Sequence, residues 1–312
     1  MTLFHSIESI LTIVIMFMAG YFMTRVGWLD PKASGIISKI VMNLALPCYM
    51  IYNLTSAFTR SQFESMSKGL IVPFISIFLC YLLSLAASRF FQVKPGRIGV
   101  FRCAFFTSNT IFIGLPINLE LFGPECVPYV LLYYMANTVF FWTFGAYEIS
   151  KDGMGEEKRP IFSKDMFKRI MSLPLLGFLI GLTLVMLDIK LPSFILSSLK
   201  YMGQLTTPLS MLFIGIVLFT VKIKNLKFDK DILVLIIARF IISPALVIAL
   251  AHFITLPDLM RKVFIIQAGL PSPTNTGVLA KEYGSDYVFG TEVTVLTTIL
   301  SMLAIPLYML FI

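Results

Sequence analysis

Charged residues are scarce in this sequence, and their scarcity decides the class of protein. Asp, Glu, Lys and Arg make up 13% of the 312 residues, whereas a soluble domain averages about a quarter. Apolar residues make up 57%, and the mean hydropathy is +0.87. A water-soluble fold of this composition could not cover its surface with polar groups, but a bilayer removes that requirement. We therefore predict an all-α integral membrane protein.

Histidine and cysteine are scarce as well. Two histidines are too few for a zinc site built on imidazole, and the four cysteines are scattered through apolar surroundings without a C-x-x-C pair. Ordinary buried thiols are the expected state of these cysteines. We predict neither a bound metal nor a cofactor.

The formal net charge of +8 does not indicate a nucleic-acid partner. The basic residues lie in short clusters between apolar runs, which is where membrane topology places them, and not on one face or in one tail. The partner that this distribution predicts is the lipid bilayer.

The chain has room for about ten membrane spans of roughly 20 apolar residues each. The first apolar stretch has no basic region before it and no small-x-small cleavage site after it, so we expect it to be retained as a span. The segments lie near 5–24, 35–57, 69–91, 98–121, 126–148, 170–188, 193–220, 231–254, 261–282 and 288–312.

The longest polar connection, 149–169, falls almost at the midpoint and leaves five spans on either side. We predict a five-helix repeat at 1–148, a cytoplasmic linker at 149–169 and a second five-helix repeat at 170–312. Because five is odd, the two halves must enter the membrane from opposite sides. Such inverted repeats are typical of secondary transporters.

The orientation follows from the basic residues. Connections rich in Lys and Arg, near 25–32, 89–97, 151–169 and 222–230, alternate with poorer ones. The rich connections should be cytoplasmic, which places both termini outside. We expect a multi-pass protein of the plasma or inner cell membrane.

The fourth and ninth segments contain helix-breaking residues where the middle of the bilayer is expected. In the fourth segment they are Asn109, Gly114 and Pro116. In the ninth they are Gly269, Pro271, Ser272, Pro273, Thr274 and Asn275. Proline removes a backbone N–H and clashes with the preceding turn, so both helices should be interrupted. Unwound backbone survives in a membrane only inside protein or beside water, so equivalent breaks predict a shared central cavity.

A cavity of this kind suits an anion. The exposed N-termini of the half-helices offer N–H groups and positive dipole ends to a carboxylate. Asn109, Asn275, Ser272 and Thr274 add neutral hydrogen bonds. The alternative is that these residues only form packing kinks, because Gly and Pro are common in membrane helices.

The second span of each half repeats a weaker pattern. Each has an amide three or four residues before a proline, Asn43 before Pro47 and Gln204 before Pro208. The pattern predicts a kink in each of these spans.

Three stretches show a resemblance to a known family. They are Ser-Asn-Thr-Ile-Phe-Ile-Gly-Leu-Pro at 108–116, Ala-Lys-Glu-Tyr-Gly at 280–284 and Leu-Pro at 46–47. In these stretches, and in segment order over nearly the whole chain, the sequence resembles the auxin efflux carrier family of plant auxin exporters and bacterial malate or malonate permeases. The resemblance implies a fold similar to that of bile acid sodium symporters and sodium–proton antiporters, with broken helices 4 and 9 crossing. Spans 1, 2, 6 and 7 would form a scaffold, and spans 3–5 and 8–10 a core.

The resemblance also implies roles for single residues. Asn109 matches the family's substrate-contacting asparagine and Pro116 its crossover proline. Pro271 and Pro273 lie in the second crossover, although the Ser-Pro-Thr-Asn run departs from the plant pattern. The further substrate contacts that the resemblance implies are Asn137 and Tyr52. The short central loop favours the bacterial type, with dicarboxylates such as malate or malonate as substrates.

Ionisable groups inside spans are functional candidates by default. Arg239 is placed to meet an anion or an acidic partner, and Glu292 is the best carboxylate for cation coupling. Gln267 lies where related folds place a sodium-ligating amide. Glu148 is expected to reach interfacial water. Coupling to protons, to sodium, to membrane potential alone or to exchange stays open, as does a homodimer.

The function that these features predict is secondary active transport of a small organic anion, a mono- or dicarboxylate such as malate, malonate or an auxin-like acid. The core would move against the scaffold in an elevator-like alternation of access. A non-transporting membrane receptor or scaffold and a sodium-coupled anion symporter are the alternatives. We predict no enzyme, because the spans contain no nucleophile–base pair.

Overall fold

The computed structural model describes residues 3–57, 59–60, 68–153, 170–220 and 228–312. Within these ranges the chain forms helices joined by turns and short connections, and it contains no β-strand. The predicted linker 149–169 and the basic connection 222–230 lie largely outside the described residues. The all-helical prediction therefore holds for the described part of the chain.

The helices of the first half coincide with the first five apolar segments. They are α1 (Leu3–Arg25), α2 (Ala33–Ile40), α3 (Leu46–Ala57), α4 (Ile71–Phe90), α5 (Ile98–Phe106), α6 (Gly114–Phe122), α7 (Val127–Phe140) and α8 (Ala146–Asp152). Short 3-10 turns at Lys68–Leu70 and Pro124–Cys126 lead into α4 and α7.

The helices of the second half coincide with the remaining apolar segments. They are α9 (Leu173–Met186), α10 (Ser193–Gln204), α11 (Thr206–Thr220), α12 (Lys230–Ile237), α13 (Ser243–Phe253), α14 (Asp258–Ala268), α15 (Asn275–Glu282) and α16 (Tyr287–Tyr308).

Six helical runs in the described residues are long and apolar enough to cross a membrane. They are Ile7–Arg25, Ala33–Ser56, Ile71–Phe90, Ser193–Thr220, Lys230–Phe253 and Tyr287–Tyr308. The apolar helix α9 is shorter, and the fourth and ninth segments are each divided into two helices. These runs identify an integral membrane protein.

Helical structure is interrupted in both the fourth and the ninth segments. The first interruption spans 107–113, between α5 and α6, and the second spans 269–274, between α14 and α15. Pro271 and Pro273 lie inside the second interruption. Pro116, in contrast, lies in the first turn of α6, where a missing N–H costs the helix no hydrogen bond.

In the described residues three spans contain a π-turn, which no pattern in the sequence predicts. The turns are Val41–Ala45, Phe141–Gly145 and Ala238–Ile242, and they join α2 to α3, α7 to α8 and α12 to α13. Two of them end shortly before a proline, Pro47 or Pro244. The wider turn lets the helix continue past a ring that would clash with the carbonyl four residues earlier. The second span is therefore continuous at Pro47, and Pro208 lies in the first turn of α11.

The carbonyl that Pro244 would clash with is that of Phe240, four residues earlier. It accepts a hydrogen bond of 2.7 Å from the Tyr308 hydroxyl. Because Pro244 has no N–H to donate, the Phe240 carbonyl lacks a partner within its own helix and bonds to α16 instead.

Glycines let several helices approach at backbone distance. A side chain at Gly20 of α1 would lie 2.5 Å from the Leu212 carbonyl oxygen of α11, and one at Gly215 would overlap the Phe17 carbonyl oxygen. Contacts of this kind are common between membrane helices, because small residues let backbones pack closely. The same arrangement joins α15 to α16 at Gly277 and Gly290.

Glu148 does not reach interfacial water, contrary to the expectation from sequence. It is 2% exposed, and its carboxylate accepts hydrogen bonds from the Tyr81 hydroxyl at 2.9 Å and from Arg102 at 2.8 Å. The chain buries this carboxylate because a cation and a hydroxyl from neighbouring helices replace its water. The expectation was wrong because a span position alone does not show which helices cover it.

Candidate functional site

The two interruptions meet and are bonded directly to each other. The Asn109 N–H donates to the Pro271 carbonyl oxygen at 2.9 Å. Each interruption thus satisfies part of the backbone that the other leaves without helical partners, which is the condition for unwound backbone at membrane depth.

The guanidinium of Arg239 holds the C-terminal ends of α5 and α14 together. It donates to the Phe105 carbonyl at 3.2 Å, at the end of α5, and to the Ala268 carbonyl at 2.7 Å, at the end of α14. It also donates to the Leu270 carbonyl and to the Ser108 hydroxyl. Arg239 is completely buried. A positive charge at two helix C-termini is favourable because both ends carry negative partial charge.

Asn137 of α7 pairs with both sides of one residue in the first interruption. Its Oδ1 accepts from the Ser108 N–H at 2.8 Å, and its Nδ2 donates to the Ser108 carbonyl at 3.0 Å. The side-chain amide thereby replaces hydrogen bonds that a continuous helix would have made. Asn137 therefore fixes the shape of the interruption as well as lining the cavity beside it.

A cavity of about 120 Å³ opens between the two interruptions and the helices around them. The residues that line it are Met42, Ser108, Asn109, Thr110, Ile111, Phe112, Tyr134, Asn137, Thr138, Phe141, Trp142, Ser172, Pro273, Thr274 and Asn275. The lining combines amides and hydroxyls with aromatic rings. No lysine or arginine is among these described lining residues.

The amide nitrogen of Asn109 is the clearest ligand signal in the cavity. Asn109 is 4% exposed, and its Nδ2 has no hydrogen-bond partner among the described residues. A buried donor without an acceptor costs free energy on the order of 1–3 kcal/mol, so an acceptor atom is expected there when the site is filled. α15 begins at Asn275, which lines the cavity, and α6 begins at Gly114, two residues after the lining residue Phe112. Both N-termini carry positive partial charge.

Four of the predicted substrate contacts line the cavity, and two do not. Asn109, Asn137, Thr274 and Asn275 are brought together. Ser272 is fully buried and its N–H donates to Thr297 Oγ1 at 3.1 Å, outside the cavity lining. Tyr52 is likewise absent from the lining, and lies on α3.

The predicted structural residues lie in or beside the interruptions. Gly114 begins α6, and a side chain there would lie 2.7 Å from Gln267 Oε1. Gly269 faces the Tyr308 ring, so that a side chain would lie 2.5 Å from it. The Pro271 carbonyl accepts from Asn109, as described above, and the Pro273 carbonyl accepts from the Thr276 N–H at 3.1 Å.

The predicted coupling residues occupy three different surroundings. Gln267 is fully buried, its Nε2 donates to the Thr110 carbonyl at 3.4 Å, and its Oε1 has no partner among the described residues. Arg239 contacts backbone carbonyls and the Ser108 hydroxyl, as described above. Glu292 is half-buried on α16 and does not line the cavity.

The aromatic residues of the cavity lining were not predicted from the sequence. One face of the fifth span contributes lining residues at spacings of three and four, namely Tyr134, Asn137, Thr138 and Phe141. That spacing was the available signal, but an aromatic face on a membrane helix is usually a packing surface. Met42 and Ser172 come from the second and sixth segments, and no local pattern indicates that they reach this cavity.

A larger, open cavity of about 880 Å³ lies at the end of α3 and the α9–α10 connection. It contains none of the interrupted backbone, and its lining is dominated by the residues of that connection. The candidate site is therefore the smaller cavity. Within the described residues no group of three or more His, Cys, Asp or Glu side chains could hold a metal ion.

Comparison with known proteins finds a family and relatives that match nearly the whole chain. A family model described as membrane transport protein matches residues 5–309. An uncharacterized transporter of Methanocaldococcus jannaschii is 29% identical over 306 residues, which cover 96% of this chain and 97% of the relative. An uncharacterized transporter of Methanothermobacter thermautotrophicus is 24% identical over 311 residues, which cover 97% of each chain.

Proposed function

This chain belongs to the membrane transport protein family, the auxin efflux carrier family, and on that premise we propose that it is a secondary active transporter of a small organic anion. The cavity between the interrupted helices is the proposed substrate site. The observation on which the proposal rests is the Asn109 amide nitrogen, a buried donor in that cavity with no acceptor among the described residues.

The lining of the cavity favours a carboxylate. A carboxylate accepts hydrogen bonds only, and Asn109, together with the N-termini of α6 and α15, offers donors. The volume of about 120 Å³ limits the substrate to a small acid. Malate, malonate and an auxin-like acid are the proposed candidates, the last because Phe141 and Trp142 can cover an apolar body.

We propose that the ten segments are ten spans in two inverted repeats, with spans 1, 2, 6 and 7 as scaffold. The packing supports this division, because backbones approach closely within each group. In the scaffold α1 meets α11 at Gly20 and Gly215, and in the core α15 meets α16 at Gly277 and Gly290. Met42 and Ser172, from proposed scaffold spans, face core residues across the cavity. Sliding of the core along the scaffold would open the site to one side of the membrane at a time.

The proposed location is the cell membrane with both termini outside, on the basis of the basic connections. Gln267 Oε1 is a buried acceptor without a partner among the described residues and is the proposed contact for a coupling cation. A sodium ion would serve there, whereas a coupling proton would need an ionisable group such as Glu292, because an amide oxygen does not take up a proton near neutral pH. Uptake under imposed gradients of each ion distinguishes the two.

The second candidate function is a non-transporting membrane receptor. The same cavity would then bind its ligand, but the ligand would not cross the bilayer. Saturable binding without flux is the result that would favour the receptor.

The test is uptake into proteoliposomes over a panel of malate, malonate, succinate and indole acetate. We expect saturable uptake of at least one acid and at least tenfold weaker affinity in Asn109→Ala. Asn53→Ala is the matched control, because the Asn53 amide donates to the Tyr49 carbonyl of its own helix. Absence of both binding and flux for every acid would show that the substrate class is wrong.

A further inference from the structure

Four helix ends converge at the interruptions, and their charges are not equivalent. α5 and α14 present C-terminal ends, whereas α6 and α15 present N-terminal ends. A helix end carries roughly half an elementary charge, negative at the C-terminus and positive at the N-terminus. Without a further charge, the four ends would cancel and the site would have no preference for an anion.

Arg239 changes this balance, because it donates to the C-terminal ends of α5 and α14 and to the residues just after them, and not to the N-terminal ends of α6 and α15. Its acceptors are the end carbonyls of α5 and α14, the Leu270 carbonyl and the Ser108 hydroxyl. One full positive charge therefore offsets the two C-terminal ends. The two N-terminal ends at Gly114 and Asn275 keep about one positive charge between them.

The charge is held close to the cavity without entering it. Ser108 lines the cavity and accepts from Arg239, while its backbone pairs with Asn137. Arg239 itself is completely buried and does not line the cavity. Since water does not screen a buried charge, its effect on an anion one side chain away is large.

We infer that Arg239 is a positioning residue that fixes the valence of the substrate at one negative charge. This inference rests on the proposed function and narrows it, because among the proposed candidates it favours an auxin-like monocarboxylate, or malate and malonate in their singly protonated forms. A monovalent anion matches the excess of about one positive charge, whereas a divalent anion of similar size brings a second charge that no described cationic side chain in the lining meets. Arg239 also holds the two C-terminal ends at the spacing that lets Asn109 reach the substrate.

The fluorescence of Trp142 reports whether the cavity is occupied, because Trp142 lines the cavity. The only other tryptophan of the sequence, Trp28, is exposed. A Trp28→Phe protein in lipid nanodiscs isolates the fluorescence of Trp142. The probes are malonate, a dianion at neutral pH, and monomethyl malonate, a monoanion of similar size. We expect the monoanion to bind at least tenfold more tightly.

Substitutions then separate charge from structure. Arg239→Lys keeps the charge with fewer donors, and should weaken both probes by up to about tenfold while keeping the preference for the monoanion. Arg239→Gln removes the charge and should widen the preference for the monoanion at least severalfold, because the attraction that is lost is about twice as large for the dianion. A merely structural role would lower both affinities without changing their ratio.

Two results would overturn the inference. One is equal or tighter binding of malonate by the protein with Arg239 intact, which decides the matter even if Arg239→Gln does not fold. The other is an unchanged ratio in a folded Arg239→Gln protein. If neither probe binds, the inference also fails, but uptake of another acid in the proteoliposome panel would leave the proposed transport function standing.

Discussion

Asn137 and Ser108 form a closed pair in which one side-chain amide bonds both the N–H and the carbonyl of one residue, at 2.8 Å and 3.0 Å. The pair is buried and joins α7 to the first interruption. It shows how a membrane protein keeps an unwound segment in one conformation, since a second helix completes the hydrogen bonds that the first has lost.

Asn137→Ala should therefore be costly for stability as well as for binding. It leaves two backbone groups of Ser108 buried without partners, for which we expect about 2–4 kcal/mol. Unfolding in mixed micelles, followed by fluorescence, measures the loss. Asn53→Ala removes an amide that bonds only within its own helix, and should cost below about 1 kcal/mol. Equal costs for the two variants would contradict the role of the pair.

Gly215→Ala tests the contact between α1 and α11. The new methyl group would overlap the Phe17 carbonyl oxygen, which is backbone and cannot rotate away. We expect a loss of about 1–3 kcal/mol, measured by the same unfolding assay. Gly35→Ala is the control, because nothing lies within 4 Å of the added methyl group and alanine favours the helix. A Gly215→Ala protein as stable as this control would refute the close contact.

The buried pair of Arg102 and Glu148 predicts strong coupling in a double-mutant cycle. Glu148→Gln alone removes the carboxylate that Arg102 contacts at 2.8 Å, at a cost of about 3 kcal/mol, and Arg102→Gln should cost a similar amount. The double variant should lose less than the sum, with a coupling of about 1 kcal/mol or more. The exposed pair of Arg261 and Asp258 should couple by less than about 0.5 kcal/mol. Additive effects at Arg102 and Glu148 would argue against a specific pair.

The carboxyl group of Asp229 makes the stability of the fold depend on pH. Burial opposes ionisation of its carboxyl, but the Ile232 N–H and the Arg97 guanidinium outweigh burial and lower the pKa of Asp229. A lowered pKa in the folded state stabilises the protein above the usual pKa of about 4, and this contribution is lost as the pH falls through the lower value. Asp229→Asn keeps the helix cap and removes the charge.

The stability difference between the unaltered protein and Asp229→Asn should therefore be largest at neutral pH, up to about 1 kcal/mol, and shrink below about pH 4. Unfolding midpoints measured from pH 7 to pH 3 check this expectation. A difference that stays constant over the range would mean that the charge of Asp229 is not the cause.

Much of the helical arrangement was predictable because it depends on composition. Runs of apolar residues mark the helices, and Pro271 and Pro273 mark the second interruption, since two prolines this close together stop a helix that a single proline such as Pro244 does not stop. The first interruption was also located, although Pro116 lies after it. Here Thr107 to Ile113 unwind because backbone and side chains from other helices bond them, and not because of proline.

Other features depend on contacts between distant residues and were not predictable. The acceptors of Arg239 come from two segments far apart in sequence, and no local pattern connects them. The absence of Ser272 from the cavity lining follows from its bond to Thr297, which a polar residue beside two prolines does not reveal. The π-turns were missed because a turn of this kind changes no composition or polarity.

The π-turn at Ala238–Ile242 gives α12 and α13 different angular registers. A π-turn accommodates one extra residue, so the faces of the two helices are rotated by about 100° relative to an uninterrupted α-helix. Removing a single residue there would keep the apolar character of the span but take away the room that the wider turn gives to the Pro244 ring. It would also turn Arg239 away from the carbonyls at the ends of α5 and α14. At this point the direction in which each residue faces around the helix axis matters more than the identity of most residues of the span.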